Sequence, residues 1–176
     1  MALNLISLDA STREYMLAEI DSDIAHGRLF DSPRLNAVGK QKYPTLLKEA
    51  AEKHDDTWLA NELRNGNNFN ATEQRNTKNG IVTAKVPVTA PETLAEGEFN
   101  RFYLRGLRLR AINERKSGLI VYRAKQVNDP RPESQAKIGS SIDPNRLLSD
   151  LRSNVGIDTF LGLPAGPNSG LSAKLP

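Results

Sequence analysis

The sequence predicts an α+β fold, with a helical N-terminal part, one long central helix packed on a small β-sheet, and an extended C-terminal tail. Three patterns indicate it: apolar residues at helical spacing through much of residues 1–66, a long amphipathic stretch at about 91–117, and the β-branched run LIVYRAK at 119–125. The chain has 176 residues, the size of one domain with extensions.

The N-terminal part, residues 1–66, is predicted to hold three helices. Ser11, with Glu14 three positions later, forms a possible capping box for a helix over residues 12–25. Residues 30–44 are expected to form a loop, with Pro44 in the first turn of the second helix.

A third helix is expected after the second. Asp55 is a candidate cap at its start, and Gly66 is the expected stop at its end.

Residues 67–80 are polar, rich in asparagine and without period, so they are predicted to form an exposed loop or arm. Beyond them, residues 81–88 alternate, with Val82 and Ala84 on one side and Thr83 on the other. Pro87 cannot donate a ladder hydrogen bond, which favours an edge strand or an extension bound by a partner.

Residues 81–156 are predicted to form an α+β core. Thr89 and Glu92 form a second possible capping box at the start of the long helix, and Pro91 suits its first turn. Asp143 is the expected cap of a last helix, which should end near Gly156.

Two glycines, Gly97 and Gly106, fall inside the long helix, where each costs up to ~1 kcal/mol relative to alanine. Either another backbone approaches closely at these points, or the glycines are tolerated in a well-packed helix. The sequence leaves both interpretations open.

Four arginines lie on one side of the long helix, within about 80° of each other on a helical wheel. They could pair with Glu98, Glu114 or acids of the N-terminal half, contact another protein, or bind nucleic acid phosphates. All three interpretations stay open, and the four residues are Arg101, Arg105, Arg108 and Arg115.

Charge is uneven along the chain. Residues 1–75 carry a net charge of −3 and residues 76–176 a net charge of +6. This division favours head-to-tail contacts between copies or a polyanionic partner, unless the two halves interleave on folding.

The sequence contains no pattern typical of a catalytic, metal or cofactor site. Cysteine is absent, which excludes disulfides and thiolate ligands. His26 and His54 each stand alone, and both suit the ends of helices better than a metal site. We therefore expect no cofactor and no metal, and an enzyme is less expected than a binding protein.

The tail, residues 157–176, is rich in proline and glycine and cannot form a regular helix. Phe160, Leu163 and Leu171 are its candidate apolar anchors on a partner. No apolar run is long enough to cross a bilayer, and the N-terminus does not have the form of a signal peptide.

Three stretches carry a resemblance to a known group of proteins: LAEGEFNRFYLRGLRLRAI at 94–112, VYRAKQVNDPRPESQAKIG at 121–139 and LGLPAGPNSGLS at 161–172. Over about residues 89–170 the chain resembles uncharacterised proteins of tailed phages and prophages. The resemblance implies a virion component or another phage-borne protein, and it assigns no role to any single residue.

These observations predict a non-enzymatic assembly protein, expected as a phage virion subunit that contacts neighbours through extended arms. Its partners would be other protein subunits, in a homo-oligomer or a larger assembly, and its place the virion or the cytoplasm of the bacterial host. The alternative is a nucleic-acid-binding protein, a nuclease or a regulator, that uses the arginine side of the long helix.

Overall fold

The computed structural model describes residues 2–155 and 169–176, and within them the predicted α+β fold is confirmed. The described helices are α1 Ala10–Ala25, α2 Ala37–Lys53, α3 Asp56–Asn65, α4 Ala90–Asn113, α5 Pro132–Ala136 and α6 Pro144–Ser153. The described strands are β1 Thr72–Thr77, β2 Gly80–Lys85, β3 Leu119–Arg123, β4 Ser141–Ile142 and β5 Leu171–Lys174.

Helix α4 is the centre of the fold and packs against α1, α3, α6 and β5. It is buried around most of its circumference, as expected of a helix enclosed by other elements. The helical N-terminal part and the α+β part therefore share one core, to which α4 contributes Phe99, Phe102, Tyr103, Leu104 and Leu107.

Strands β4, β3 and β5 form an antiparallel sheet in that order, with β3 in the middle. Helix α4 is tied to β5 by side-chain hydrogen bonds. The Tyr103 hydroxyl donates to the Ala173 carbonyl at 3.0 Å, and Asn100 Nδ2 donates to the Leu171 carbonyl at 2.9 Å. The end of the predicted tail thus completes the chain's own sheet.

The helix starts agree only partly with the sequence predictions. Asp55 caps α3 as expected, accepting from the Trp58 amide at 2.8 Å. Helix α1 is capped by Asp9 instead of Ser11. Helix α2 begins at Ala37, because Asn36 caps it, so Pro44 lies inside the helix and not in its first turn.

At the later helices, too, some predicted caps form and others do not. Asp143 caps α6, accepting from the Arg146 amide at 2.8 Å. Thr89 makes no side-chain capping bond at the start of α4, and Glu92 pairs with Arg64 instead, so the second capping box does not form. The expected stop at Gly156 lies outside the described residues.

The two glycines of α4 have different surroundings. A Cβ added at Gly106 would lie 2.8 Å from the Met16 amide nitrogen and 2.9 Å from the Thr12 carbonyl oxygen, whereas one added at Gly97 would meet no atom within 4 Å. Backbone approach therefore explains Gly106, where α1 crosses α4, and Gly97 is a tolerated glycine.

Strands β1 and β2 form a separate two-stranded antiparallel hairpin. Thr77 pairs with Gly80 across the turn Lys78–Asn79, and Gly80 has a φ of +107°, a conformation that favours glycine. Part of the predicted loop at 67–80 is therefore a regular strand.

Candidate interaction surface

Arg105, one of the four arginines on the predicted arginine side of α4, is the largest fully buried side chain, with 1% of its surface exposed. Its Nε donates to Glu19 at 2.6 Å, and its two terminal nitrogens donate to Asp23. Both carboxylates belong to α1. Arg152 of α6 also donates to Glu19, at 2.6 Å, so one charge cluster joins α1, α4 and α6.

Arg101 is also buried and points toward the end of α6. It donates to Glu98 at 3.1 Å, to the Leu151 carbonyl at 3.1 Å and to the Asn154 carbonyl at 2.8 Å. The bonds to Leu151 and Asn154 satisfy carbonyls at the C-terminus of α6, which have no N–H groups of a further helical turn to donate to them. Arg101 and Arg105 thus hold helices together and are not accessible to an external polyanion.

The other two predicted arginines lie in different surroundings. Arg108 is half-buried and donates to Asn145 Oδ1 at 2.7 Å. Arg115 is exposed just beyond the end of α4, with a φ of 56°. The four arginines therefore form no common surface. Of the three interpretations, pairing with acids of the chain itself is the one found for Arg101 and Arg105, so these two residues are corrected as candidates for contact with a partner or nucleic acid.

The charge cluster and the neighbouring Glu98–Arg101 pair contain carboxyl groups with shifted pKa values. Burial alone would raise the pKa of Asp23, but hydrogen bonds and charge from Arg105 and Arg28 outweigh it and hold that pKa below its usual value. Burial raises the pKa of Glu98 despite the opposing charge of Arg101. Because these groups are enclosed, the cluster is structural.

A smaller polar set lies beside the cluster. The Tyr43 hydroxyl and Glu98 Oε2 are both buried without a hydrogen-bond partner. Burial, with the charge of Glu98, raises the pKa of Tyr43 well above its usual value. The neutral phenol is therefore the stable form at this position.

The apolar anchors predicted in the tail have separate outcomes. Leu171 is fully buried in the chain's own core as part of β5, so it is not available to a partner. Phe160 and Leu163 lie outside the described residues.

The accessible candidate surface is the β1–β2 hairpin, residues 72–85, which we call the arm. Ten of its twelve strand residues are exposed, and only Glu73 and Ala84 are half-buried. Ile81 is 71% exposed and Val82 43% exposed, although both are apolar. An isolated two-stranded hairpin is marginal in water, so the arm depends on contacts beyond its own two strands.

One face of the arm rests on the body of the protein near its base. Arg34 donates to both carboxylate oxygens of Glu73, at 2.6 and 3.2 Å, and Arg75 donates to Glu73 at 2.7 Å. Hydrogen bonds from Arg34 and then from Arg75 lower the pKa of Glu73. The arm's one carboxylate is thus already neutralised, while Lys78 and Lys85 remain exposed.

The two outer edges of the arm differ. At the base of β1, the Asn70 amide donates to the Arg34 carbonyl at 2.9 Å and the Asn36 amide donates to the Asn68 carbonyl at 2.9 Å. The chain around residues 34–36 therefore covers this side. Along β2, no other backbone group of the described residues pairs with the outer edge.

A groove of about 300 Å³ lies at the base of the arm. Val88 on its wall is 89% exposed. Arg64, another wall residue, pairs with Glu92, whose Oε2 is a buried acceptor without a hydrogen-bond partner. Besides Arg64 and Val88, the wall includes Asn67, Phe69, Val86 and Pro91.

Strand β2 overlaps the edge strand expected at residues 81–88, but its pairing partner was not expected, because β1, with the sequence TEQRNT, has no apolar alternation. A signal was nevertheless present. Asn79–Gly80 directly precedes an alternating run, and this dipeptide is a strong hairpin signal.

No group of three or more His, Asp or Glu residues in ranges 2–155 and 169–176 could hold a metal ion. His26 is the C-cap of α1, and His54 stacks on Trp58 with ring centres 4.3 Å apart. No helix in the described part of the chain is long and apolar enough to cross a membrane.

Comparisons with known protein families, curated proteins and solved structures found no match to this chain.

Proposed function

We propose that the protein is a non-enzymatic assembly subunit that contacts its neighbours through the arm. The observation that carries the proposal is an ordered hairpin with exposed strands, an open β2 edge, and apolar Ile81 and Val82 in solvent. An open edge binds another chain through main-chain hydrogen bonds, and exposed apolar side chains add contact area.

The virion context of the proposal rests on the resemblance of residues 89–170 to phage and prophage proteins. Projecting arms suit rings and lattices, in which each subunit meets several others. The arm replaces the tail as the proposed contact, because the end of the tail is occupied as β5.

The test is a variant in which a two-residue turn replaces the arm. The Val86 amide donates to the Ala71 carbonyl at 3.1 Å, so a short Asn-Gly connection can join these residues without strain. Light scattering after size-exclusion chromatography should show loss of the assembly, while circular dichroism and the melting temperature stay close to those of the unmodified protein. An armless variant that assembles normally would contradict the proposal.

A deletion of residues 169–176 provides the contrasting control. It removes β5 and with it buried Leu171 and Ala173, so it should unfold or strongly destabilise the chain. Loss of assembly in this variant would reflect loss of the fold, whereas loss in the armless variant would not.

A second candidate function is nucleic-acid binding through the same arm. Arg75, Lys78 and Lys85 are its cations, and a two-stranded ribbon fits the major groove of DNA. If the arm binds nucleic acid, its affinity should fall steeply as the salt concentration rises. In a Lys78→Ala/Lys85→Ala variant, the slope of log affinity against log salt concentration should be smaller. An unchanged slope in that variant would count against the arm as the binding site.

A further inference from the structure

We propose that β2 pairs with β2 of a second copy of this chain, antiparallel and centred on Thr83. The result is a four-stranded sheet in the order β1-β2-β2-β1. The inference rests on the proposed function and names the partner of the arm.

The choice of β2 follows from the hydrogen-bond pattern of the arm. In an antiparallel pair, alternate residues direct both backbone groups toward the neighbouring strand. Ala71 bonds inward to Val86, and Asn70 bonds outward to Arg34. We call a residue outward when its backbone N–H and C=O point away from the other strand of the arm. In β1 the outward residues are therefore the even-numbered ones, and a strand added along them would collide with residues 34–36.

In β2 the outward residues are the odd-numbered ones, Ile81, Thr83 and Lys85. Inside the arm they form the pairs that exchange no backbone hydrogen bonds, opposite Asn76, Gln74 and Thr72. Their outer side carries no hydrogen bond from another backbone group of the described residues. Pro87 is the next outward position and has no N–H, so pairing stops before it. Three outward residues are thus available to a partner strand.

A pairing that uses all three outward residues has one register. Thr83 then faces Thr83 of the second copy, Ile81 faces Lys85, and Val82 faces Ala84. Lys85 is the one charged residue of β2, so no like charges face each other. The exposed Val82 gains an apolar neighbour on the opposite strand.

The same register places the turn Lys78–Asn79 of the second copy beside Val86–Val88, at the groove. The tip of one arm therefore contacts the base of the other, and by two-fold symmetry the contact occurs twice. Glu92 near the groove is already paired with Arg64, so this contact adds no strong ion pair.

The absence of cysteine from the chain permits a direct test by single-cysteine cross-linking. In the proposed dimer the two Thr83 Cα atoms lie about 5.5 Å apart, within the disulfide range of about 4.4–6.8 Å. The full-length Thr83→Cys variant, under mild oxidation, should become mostly covalent dimer at concentrations where the unmodified protein associates.

Gln74→Cys is the matched control. Gln74 is exposed and pairs with Thr83 inside the arm. In the dimer, the two Gln74 residues are separated by three strand spacings, or ~14 Å, and cannot form a disulfide. Cross-linking of Gln74→Cys as fast as Thr83→Cys, or of Gln74→Cys alone, would overturn the inference.

A second variant, Thr83→Pro, removes the outward N–H while leaving the inner ladder intact. Light scattering should show a monomer with an unchanged circular dichroism spectrum. A dimer that persists in Thr83→Pro contradicts the β2 pairing.

The outcomes separate this inference from the proposed function. If the armless variant loses assembly but Thr83→Cys does not cross-link, the arm binds something other than a second β2, and the inference fails alone. If the unmodified protein is a monomer that binds duplex DNA through the arm, both the inference and the assembly function fail.

Discussion

Replacing each of the two glycines of α4 by alanine should change the free energy of unfolding in opposite directions at the two positions. At Gly106, an alanine methyl would lie 2.8 Å from the Met16 amide nitrogen and from Met16 Cγ, and 2.9 Å from the Thr12 carbonyl oxygen. Two of these three atoms belong to the backbone of α1, so relief requires the helices to separate.

The magnitude of the Gly106→Ala effect is the difference between two terms. Overpacking in a well-packed core costs about 1–3 kcal/mol, and alanine recovers up to ~1 kcal/mol of helix propensity. Because a rotamer change cannot move backbone atoms away, we expect the overpacking cost to be near the upper end, ~3 kcal/mol. Subtracting the gain of ~1 kcal/mol in helix propensity leaves a net loss of stability of ~2 kcal/mol. For a chain of this length, the melting temperature should fall by roughly 4–8 °C.

Gly97→Ala is the control, because a Cβ there would meet no atom within 4 Å. It should stabilise the protein by about 0.5–1 kcal/mol through helix propensity alone. Urea unfolding of both variants, compared at equal m-values, measures the difference. A Gly106→Ala variant as stable as the unmodified protein would refute the close approach of α1 and α4.

Two further predictions concern buried charge. Arg105→Met leaves Glu19 and Asp23 buried without their main cation, so urea unfolding near pH 7 should show a loss of ~3–5 kcal/mol. Since the folded pKa of Asp23 is lowered, this loss should shrink as the pH falls below about 4. Burial, opposed by the Leu3 N–H, raises the pKa of Asp56 to about 6, so its charge destabilises the fold above that pH. Asp56→Asn should therefore gain up to ~3 kcal/mol in urea unfolding above pH 6, and the gain should vanish toward about pH 4.

Local signals made much of the fold predictable. Asp55 and Asp143 cap the helices that their positions indicate, and the LIVYRAK run contains β3. Helix α2 was harder, because Asn36 begins the helix upstream of Pro44 and the helix continues through the proline. A proline is a weak boundary when a better cap precedes it.

Arg101 pairs with Glu98, one of the acids that the sequence offered, but the individual partners of Arg105 could not be predicted from local patterns. Arg105 and Glu19 are 86 positions apart in the chain. A helical wheel places the arginines on one side of α4 but does not say what packs there. Strand β1 was missed for a different reason: neither face of the hairpin is buried in a core, so β1 has no period-two apolar pattern to detect.

The opposite net charges of the two halves of the chain favoured head-to-tail contacts between copies. In the folded chain, however, several of these opposite charges pair with each other within one molecule. Arg105 and Arg152 from the basic half meet Glu19 and Asp23 from the acidic half. Association through the β2 edge should therefore depend little on salt. At ~1 M salt, where the Debye length is about 3 Å, head-to-tail attraction between exposed charges would be screened. Light scattering in low and high salt should show a persistent dimer, whereas dissociation at high salt would indicate that surface charge, and not the strand edge, holds the copies together.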